Sequence, residues 1–316
     1  MPKISIIIPT YNRVNQLKQS IKSIQGQSYS DWNIIVVDDC SDDSTINYIN
    51  NLGDQRISVY RNQRNSGPGF SRKFGYQHAH GEFIIFCDDD DYYTDMDFFK
   101  NAIKRLEQDK DLALICANSD IYYEAEDKTV STPLNFEDGI STREYLENFQ
   151  VGLMKPHSTF ETIFRKTTLE TGKLTDMEMV NDSSIYLRAL LAPGKVGKYD
   201  GVCGIYRVHS QNISANIQPN FICQNLDEKY KVYEIIKQRK LFKHPDDWLN
   251  KQIELTAVYF MDGAAANDKK NRQIVYDWIR KYAPGSNAIL HQLHNLAAKK
   301  NLASIKRRVF SYHNKR

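Results

Sequence analysis

Four consecutive aspartates follow an apolar run in this sequence, and a cluster of this kind can bind a metal ion. The apolar run covers residues 83–87, and the carboxylates belong to Asp88, Asp89, Asp90 and Asp91. Carboxylates this close repel one another, and each raises the pKa of its neighbours. A divalent cation removes the repulsion, and an all-oxygen ligand set selects Mg²⁺ or Mn²⁺. The run therefore predicts a Mg²⁺ or Mn²⁺ site, with a solvated acidic turn as the alternative.

A second acidic segment follows the apolar run that ends at Val37. It contains Asp38, Asp39, Asp42 and Asp43. One of these carboxylates could accept a hydrogen bond from the N–H of a nucleobase. Residues 41–43 could equally cap the helix that follows, because Ser and Asp are favoured N-cap residues. The segment alone leaves both interpretations open.

A glycine-rich turn with basic residues follows the third apolar run. It contains Asn65, Gly67, Gly69, Arg72 and Lys73. Glycine lets the backbone approach a ligand closely, and the N-terminus of a helix favours anions. Arg72 and Lys73 could therefore neutralise phosphate charge, although turns of this composition are common.

Two polar motifs in the second half of the chain could also act in chemistry. Asp182 follows Asn181 at the start of a helical pattern, where it is either a helix cap or a general base. His209 ends the motif that begins at Tyr206. As a neutral imidazole it could complete a metal coordination sphere, and a purely structural histidine is the alternative.

The elements that must position these residues alternate between strands and helices over the first 120 residues. Predicted strands cover residues 4–8, 33–37, 57–61, 83–87 and 112–117, with helical patterns between them. This alternation predicts an α/β fold with a mainly parallel sheet covered on both faces. In such sheets ligands bind beyond the carboxyl ends of the strands. The residues after Ile8, Val37 and Cys87 should therefore line one crevice.

The first predicted helix begins after Asn12, which we expect to act as its cap, and Ser141 with Glu144 fits a capping box further on. A strand is predicted at 203–208. After residue 219 the apolar spacing is helical throughout, which predicts a separate helical module.

Composition fits a folded globular protein, since 41% of the 316 residues are hydrophobic. The five cysteines are odd in number and contain no Cys-x-x-Cys pair, which argues against a zinc site or a disulfide framework. The apolar run at residues 4–8 is too short for a signal peptide or a membrane span. We therefore expect a cytoplasmic protein, either free or bound peripherally to the inner face of the membrane.

Basic charge is concentrated at the C-terminus. Residues 286–316 contain seven Lys or Arg and no Asp or Glu; with a net charge of +3 for the chain, the remainder carries −4. Leu302, Ile305 and Val309 lie among these basic residues. The tail could be an amphipathic helix on an anionic membrane, or a solvated helix that packs on the module or on a partner subunit. It contains no recognised nucleic-acid motif, so we expect no nucleic-acid partner.

The motifs occur together and in a fixed order. They are Pro9 with Tyr11 and Arg13, residues 37–43, Asn65 and Gly67 with Arg72, residues 88–91, Asn181 with Asp182, and residues 206–209. As an ordered set they resemble glycosyltransferase family 2, the inverting enzymes of GT-A fold, in its bacterial cell-surface polysaccharide type. The resemblance covers roughly residues 1–215. We therefore expect a GT-A catalytic domain at 1–218, with a nucleotide-binding half at 1–95 and an acceptor half at 96–218, followed by a helical module at 219–316.

The resemblance also implies roles for individual residues. Asp182 would be the catalytic base, Asp39 would contact the nucleobase, and Asp88 and Asp90 would match the family's Asp-x-Asp motif. The residues expected to bind the nucleotide are Pro9, Tyr11, Arg13, Asp39, Asn65, Gly67, Arg72, Asp88 and Asp89, and those expected at the metal are Asp90, Asp91 and His209.

Three positions depart from the family's usual pattern. Asn181 stands where Glu is frequent, which changes the charge beside the base. Cys40 stands where Gly or Ala is common, and Lys73 stands where Asn is frequent. The change at Lys73 bears on the sugar pocket.

By this resemblance the chain would move a sugar from a nucleotide-sugar, favoured as a UDP-sugar, to a hydroxyl of a cell-surface glycan or lipid-linked acceptor, using Mn²⁺ or Mg²⁺. A homo-oligomer and membrane contact through the tail are further expectations. The alternative is a non-catalytic nucleotide-sugar-binding or scaffold protein. A dehydrogenase or nucleotidyltransferase is disfavoured because no Gly-x-Gly-x-x-Gly or Walker motif is present.

Overall fold

The structure is a computed structural model that describes residues 1–178, 180–209 and 217–298. The chain divides into two compact units, Met1–Ser210 and Gln211–Arg316. The domain boundaries expected from the sequence, including the division at residue 95, stay predictions. All five cysteines are free thiols.

The first unit is built on one mixed β-sheet. Its strands are β1 (Ile4–Thr10), β2 (Trp32–Asp38), β3 (Ile57–Arg61), β4 (Phe83–Phe86), β5 (Tyr92–Tyr93), β6 (Leu112–Tyr123), β7 (Lys128–Ser131), β8 (Ile140–Ser141), β9 (Thr162–Arg165) and β10 (Lys195–Val208). The strand order is β3-β2-β1-β4-β9-β6-β10-β5, with β7 paired to β6 and β8 paired to β10. Strands β3, β2, β1 and β4 run parallel to one another, and β6 runs parallel to β10. The predicted α/β class is confirmed.

Helices connect these strands and cover the sheet. They are α1 (Val14–Gln25), α2 (Thr45–Asn51), α3 (Pro68–Gln77), α4 (Phe98–Gln108), α5 (Thr142–Glu147), α6 (Lys166–Thr171) and α7 (Asp182–Ala189). Strand β1 is buried along its whole length, which agrees with its apolar composition: four of its seven residues are isoleucine. On α1 the side chains of Leu17, Ile21 and Ile24 are buried, and their spacing puts them on one face of the helix.

Strand β9 was not predicted, and it runs antiparallel to both neighbours, β4 and β6. Its four residues are too few to show a period in the sequence. Because of this direction, the start of β9 lies beside the carboxyl end of β4, and Thr162 pairs with Cys116 within β6. The chain segment that enters β9 is therefore brought to the same edge as the acidic run.

The cap expected at Asn12 is wrong. Asn12 has φ 53°, and its side-chain oxygen accepts a hydrogen bond from the Asp42 amide at 2.7 Å. The carboxylate of Asp43 instead accepts hydrogen bonds from the N-termini of both neighbouring helices, α1 and α2. One oxygen accepts from the Val14 amide at 3.0 Å, and the other accepts from the Thr45 amide at 3.0 Å. The capping of α5 by Ser141 is confirmed, since Ser141 accepts from the Glu144 amide at 3.1 Å.

The second unit is helical in its described part, as expected. Its helices are α8 (Pro219–Gln238), α9 (Pro245–Asp262) and α10 (Lys269–Tyr282), followed by a helix over residues 286–298. Buried Leu226, Trp248, Ile253 and Ile279 are among the side chains that fill its core. Among the described residues, no helix is both long enough and apolar enough to span a membrane. The basic residues of the tail from Lys299 onward lie outside the described residues.

Candidate active site

The carboxyl ends of β1, β2 and β4 bring the first site residues together. The Thr10 hydroxyl donates a hydrogen bond to Asp89 at 2.7 Å, and the Thr10 carbonyl accepts one from the Asp39 amide at 2.8 Å. Thr10 ends β1, Asp39 follows β2, and Asp89 follows β4. The crevice expected from the alternation of strands and helices is therefore formed.

Three of the four aspartates of the acidic run converge. Asp88, Asp90 and Asp91 have carboxylate oxygens within 4.8 Å of one another. Asp91 is fully buried, and within the described chain its Oδ2 accepts no hydrogen bond. Burial, and then the charges of Asp90 and Asp88, raise the pKa of Asp91 well above its ordinary value. Hard oxygen donors with an unsatisfied buried lone pair fit a divalent cation, so the donor set agrees with Mg²⁺ or Mn²⁺.

Asp90 pairs with two cationic or ionisable side chains. His209 Nε2 lies 2.8 Å from Asp90 Oδ2, and Arg13 Nη1 lies 2.9 Å from the same oxygen. Arg13 also contacts Asp89 Oδ1 at 3.2 Å. The structure thus brings His209 to the acidic cluster, where the resemblance expected it. It also places Arg13, which the resemblance implies to be a nucleotide-binding residue, against the same cluster.

Arg72 connects the acidic cluster with Asp182. It is 6% exposed, and its Nη2 lies 2.5 Å from Asp88 Oδ1 and 3.5 Å from Asp182 Oδ1. Its Nη1 donates to the Val180 carbonyl at 3.1 Å, which holds the guanidinium in place. Burial raises the pKa of Asp88 to about 6, and Arg72 opposes that rise. One side chain thus touches both candidate functional carboxylates.

Asp182 is the first residue of α7 and not its cap. The N-cap is Asn181, whose side chain accepts from the Ser184 amide at 2.9 Å while the Ser184 hydroxyl accepts from the Asn181 amide. The helix-cap alternative for Asp182 is therefore wrong. Its side chain is 25% exposed, and the Thr159 hydroxyl donates to its Oδ1 at 3.4 Å. A partly exposed carboxylate at a helix N-terminus is available to a substrate.

Asp39 is buried and organises the loop that leads into α3. Its Oδ1 accepts from the Asn62 side chain at 2.7 Å and from the Ser66 amide at 2.9 Å. Its Oδ2 accepts from the Gly67 amide at 2.6 Å. Gly67 has φ 85°, a conformation that favours glycine. The side chain of Asn65 also accepts from the Gly67 amide, at 3.2 Å.

Several residues at this edge were not singled out from the sequence. Asn62 directly follows β3, so its position after a strand was a usable signal. Thr10 is the last residue of β1 and offered the same signal. Thr159 gave no signal, because its neighbour β9 is too short to recognise. Of the predicted nucleotide residues, Pro9 is buried and Tyr11 is 41% exposed.

Ligands of parallel α/β sheets bind beyond the carboxyl ends of the strands, and in this chain those ends carry the acidic cluster. The profile of the family "Glycosyl transferase family 2" matches residues 5–172 of this chain. The chain belongs to glycosyl transferase family 2, and it is a glycosyltransferase.

Individual relatives agree with this assignment. The GalNAc(5)-diNAcBac-PP-undecaprenol beta-1,3-glucosyltransferase of Campylobacter jejuni is 30% identical over 254 residues, which cover 73% of this chain and 79% of the relative. The putative colanic acid biosynthesis glycosyl transferase WcaA of Escherichia coli is 28% identical over 221 residues, or 69% of this chain and 77% of the relative.

Among solved structures, residues 1–349 of TarS from S. aureus, in complex with UDP-GlcNAc, match with a TM-score of 0.71 at 18% identity. The match covers 93% of this chain and 88% of that chain. The predicted GT-A fold and the bacterial polysaccharide type are confirmed. The roles of the individual site residues stay predictions.

Proposed function

We propose that this glycosyltransferase moves a sugar from a UDP-sugar to a hydroxyl of a lipid-linked or other cell-surface glycan, with inversion at the anomeric carbon and with Mn²⁺ or Mg²⁺ as cofactor. The observation that carries the proposal is the series of contacts from the Asp88, Asp90 and Asp91 cluster through Arg72 to Asp182. A cation-binding cluster and a carboxylate base joined by one guanidinium suit the two needs of sugar transfer. These are a stabilised leaving diphosphate and an activated acceptor hydroxyl.

The donor proposal is supported by the relatives and by the chemistry of the crevice. The matched TarS structure contains UDP-GlcNAc. Asp39 Oδ2 accepts one hydrogen bond from within the described residues, and a carboxylate oxygen has two lone pairs. The second lone pair would accept the N–H of uracil. The proposed nucleotide-binding residues are Pro9, Tyr11, Arg13, Asp39, Asn65, Gly67, Arg72, Asp88 and Asp89.

The proposed cation ligands are Asp90, Asp91 and His209, with Asp88 beside them. A bound Mn²⁺ or Mg²⁺ supplies Lewis-acid stabilisation of the leaving diphosphate. Arg13 contacts both Asp89 and Asp90 and would hold these carboxylates in position. Its guanidinium also adds positive charge on the side where the diphosphate oxygens would lie.

Asp182 is the proposed base. As the acceptor oxygen attacks the anomeric carbon, its proton moves to the Asp182 carboxylate and the bond to the diphosphate breaks. One in-line displacement of this kind inverts the anomeric centre. Arg72 orients the carboxylate through the contact to Oδ1, and Thr159 holds the same oxygen from another side. The dipole of α7 favours negative charge at this position.

The acceptor proposal draws on the Campylobacter relative, whose name gives an undecaprenyl-diphosphate-linked glycan as its substrate. A lipid-linked acceptor implies reaction at the cytoplasmic face of the membrane. The basic tail, with its proposed membrane or subunit contact, lies outside the described residues.

The test uses the full chain with UDP-glucose, UDP-GlcNAc and related UDP-sugars, Mn²⁺, and lipid-linked glycans extracted from the organism that encodes the chain. Asp182→Asn should lower transfer by about 10²- to 10⁴-fold, the usual cost of losing a placed base. Thermal stabilisation by UDP with Mn²⁺ should be unchanged, because the carboxylate does not belong to the proposed nucleotide site. Transfer is measured from UDP release and from the mass of the glycolipid.

Asp200→Asn is the matched control, since Asp200 is an exposed aspartate on β10 of the same unit. It should transfer sugar at the wild-type rate. If Asp182→Asn does so too, Asp182 is not the base. If UDP with Mn²⁺ neither stabilises the wild-type chain nor is released from any donor, the alternative of a non-catalytic protein replaces the donor and metal proposals.

A further inference from the structure

A cavity of about 450 Å³ lies in the first unit, outside the proposed nucleotide site. It is lined by residues 150–157, from the segment between α5 and β9, and by Tyr206 of β10. None of these residues belongs to the proposed nucleotide or metal set. Small-molecule sites commonly have volumes of about 300–1,000 Å³, so the cavity is large enough for a sugar ring.

The wall of this cavity combines a pair of stacked aromatic rings with apolar side chains. The rings of His157 and Tyr206 are nearly parallel, at 18°, with centroids 5.9 Å apart. Val151, Leu153 and Met154 supply apolar surface. Burial, and then the charge of Lys155, lower the pKa of His157 to about 4, so its imidazole is neutral at neutral pH. A neutral aromatic ring of this kind offers apolar surface to the C–H face of a pyranose.

Hydrogen bonds from buried side chains hold the backbone of the cavity wall in place. Glu161 is fully buried, and its carboxylate accepts from the amides of His157 at 3.2 Å and Ser158 at 3.0 Å. The Ser119 hydroxyl donates to Glu161 at 2.9 Å and lies 3.4 Å from His157 Nδ1. On the other side of the loop, the Met154 carbonyl accepts from the Tyr145 hydroxyl at 2.6 Å. A site fixed in this way before binding loses little entropy when a ligand enters.

Lys155 also fixes the loop that forms the wall. Its Nζ donates to the carbonyls of Pro156 at 2.6 Å and His157 at 2.9 Å and lies 6.0 Å over the ring of the buried Tyr186.

The cavity lies next to the proposed base. Thr159, two residues after His157, donates to Asp182 Oδ1 at 3.4 Å. Tyr206 lies three residues before His209, which contacts Asp90 at 2.8 Å. The charges of Asp91 and Asp182 act on Tyr206: burial raises the pKa of its hydroxyl, and these two carboxylates raise it further.

We propose that the cavity binds the terminal pyranose ring of the acceptor glycan, with one face of the ring on His157 and Tyr206 and a hydroxyl directed to Asp182. The inference rests on the proposed function and adds the chemical class of the acceptor and the residues that select it. His157 and Tyr206 would determine which acceptor is used without taking part in the bond changes.

The test measures transfer at a saturating UDP-sugar concentration while the extracted lipid-linked glycans are supplied at graded dilution. Tyr206→Ala and His157→Ala should each raise the half-saturating acceptor concentration about tenfold, the effect of losing one aromatic contact. Tyr206→Phe should keep the wild-type value, because the ring is retained. The KM for the UDP-sugar and the hydrolysis of the donor by water should be unchanged in all three.

Tyr259→Ala is the matched control, because Tyr259 is a 52% exposed tyrosine on α9 of the other unit. Unchanged acceptor saturation in Tyr206→Ala and His157→Ala would overturn the inference and leave the proposed function intact. A parallel rise in the KM for the UDP-sugar would also overturn it, because the cavity would then act on the donor. A wild-type chain that consumes no UDP-sugar would instead refute the proposed function itself.

Discussion

At the scale of single residues, Arg72 has the most consequential set of contacts. A buried guanidinium that touches Asp88 and Asp182 fixes the distance between the proposed cation cluster and the proposed base. Arginine suits this position because its planar group has five donors in a fixed geometry, whereas lysine offers a single charged point. The sequence identified Arg72 as basic and close to glycines, but it could not identify these partners, because Asp182 is 110 positions away.

Arg72→Lys should retain the positive charge but lose the simultaneous contact with Asp88 and Asp182, which we call the bridge. We expect the transfer rate to fall about 10²-fold, because a small displacement of a base has effects of that order. UDP with Mn²⁺ should still stabilise the chain thermally, but less than it stabilises the wild type, because lysine keeps the charge that Arg72 brings to the proposed nucleotide site and loses its planar donor group. Initial rates with saturating substrates provide the measurement.

Arg56→Lys is the control for this substitution, since Arg56 pairs with Asp54 at the surface of the same unit. Its rate should equal that of the wild type. A wild-type rate for Arg72→Lys would mean that the bridge between Asp88 and Asp182 has no role in transfer.

At the scale of elements, the loops after the strands are stabilised by carboxylates that satisfy backbone amides. Asp39 organises the turn before α3, and Asp43 accepts from the first residues of both α1 and α2. The sequence leaves capping by one of residues 41–43 as one of two interpretations of this segment. It assigned the cap of α1 to Asn12, because local spacing does not reveal that a side chain 29 residues away reaches Val14.

Asp43→Ala should lower the free energy of unfolding of the first unit by about 1–2 kcal/mol, because two helix N-termini lose an acceptor. Asp42→Ala is the matched control, since Asp42 is its exposed neighbour and its carboxylate accepts no hydrogen bond from the described residues. Urea unfolding followed by the fluorescence of Trp32, in a Trp248→Phe, Trp278→Phe background, gives the free energies. Equal free energies of unfolding for both variants would show that the capping of α1 and α2 by Asp43 has no energetic effect.

At the scale of the whole molecule, the sequence predicted the regular parts of both units and not the pairing that joins distant segments. Apolar runs such as 4–8 and 83–87 predicted strands, because parallel strands buried on both faces are uniformly apolar. The acidic residues after those runs could therefore be placed at one edge. Three features could not be predicted, because each depends on tertiary packing. They are the strand β9, the cavity at 150–157, and the contacts that Arg13 makes with the acidic run.

The helical unit contains a buried amine whose protonation depends on its surroundings. Lys229 on α8 is buried, and its Nζ meets the Thr256 hydroxyl at 2.7 Å and the Gln252 carbonyl at 3.4 Å, both uncharged groups on α9. On α8 itself, the neighbouring Glu228 pairs with Lys231. Burial lowers the pKa of Lys229 from 10.5 to about 7, and no charged group among the described residues shifts it further.

The unfolded chain therefore binds more protons than the folded chain between these two pKa values, and stability should rise with pH across that window. Lys229→Met should remove this dependence and make the helical unit more stable near neutral pH. The fluorescence of Trp248 and Trp278 during urea unfolding, in a Trp32→Phe background, reports on this unit. A pH dependence that is the same in Lys229→Met would assign it to other groups.

The direction of β9 has a consequence for how such enzymes diversify. Parallel strands deliver only the turns at their carboxyl ends to the catalytic edge, whereas β9 delivers the segment that precedes it. Residues 150–157, which line the cavity, can therefore change in composition while the turns after β1, β2 and β4 stay the same. New glycan targets can evolve in this segment while the machinery that handles the nucleotide stays the same.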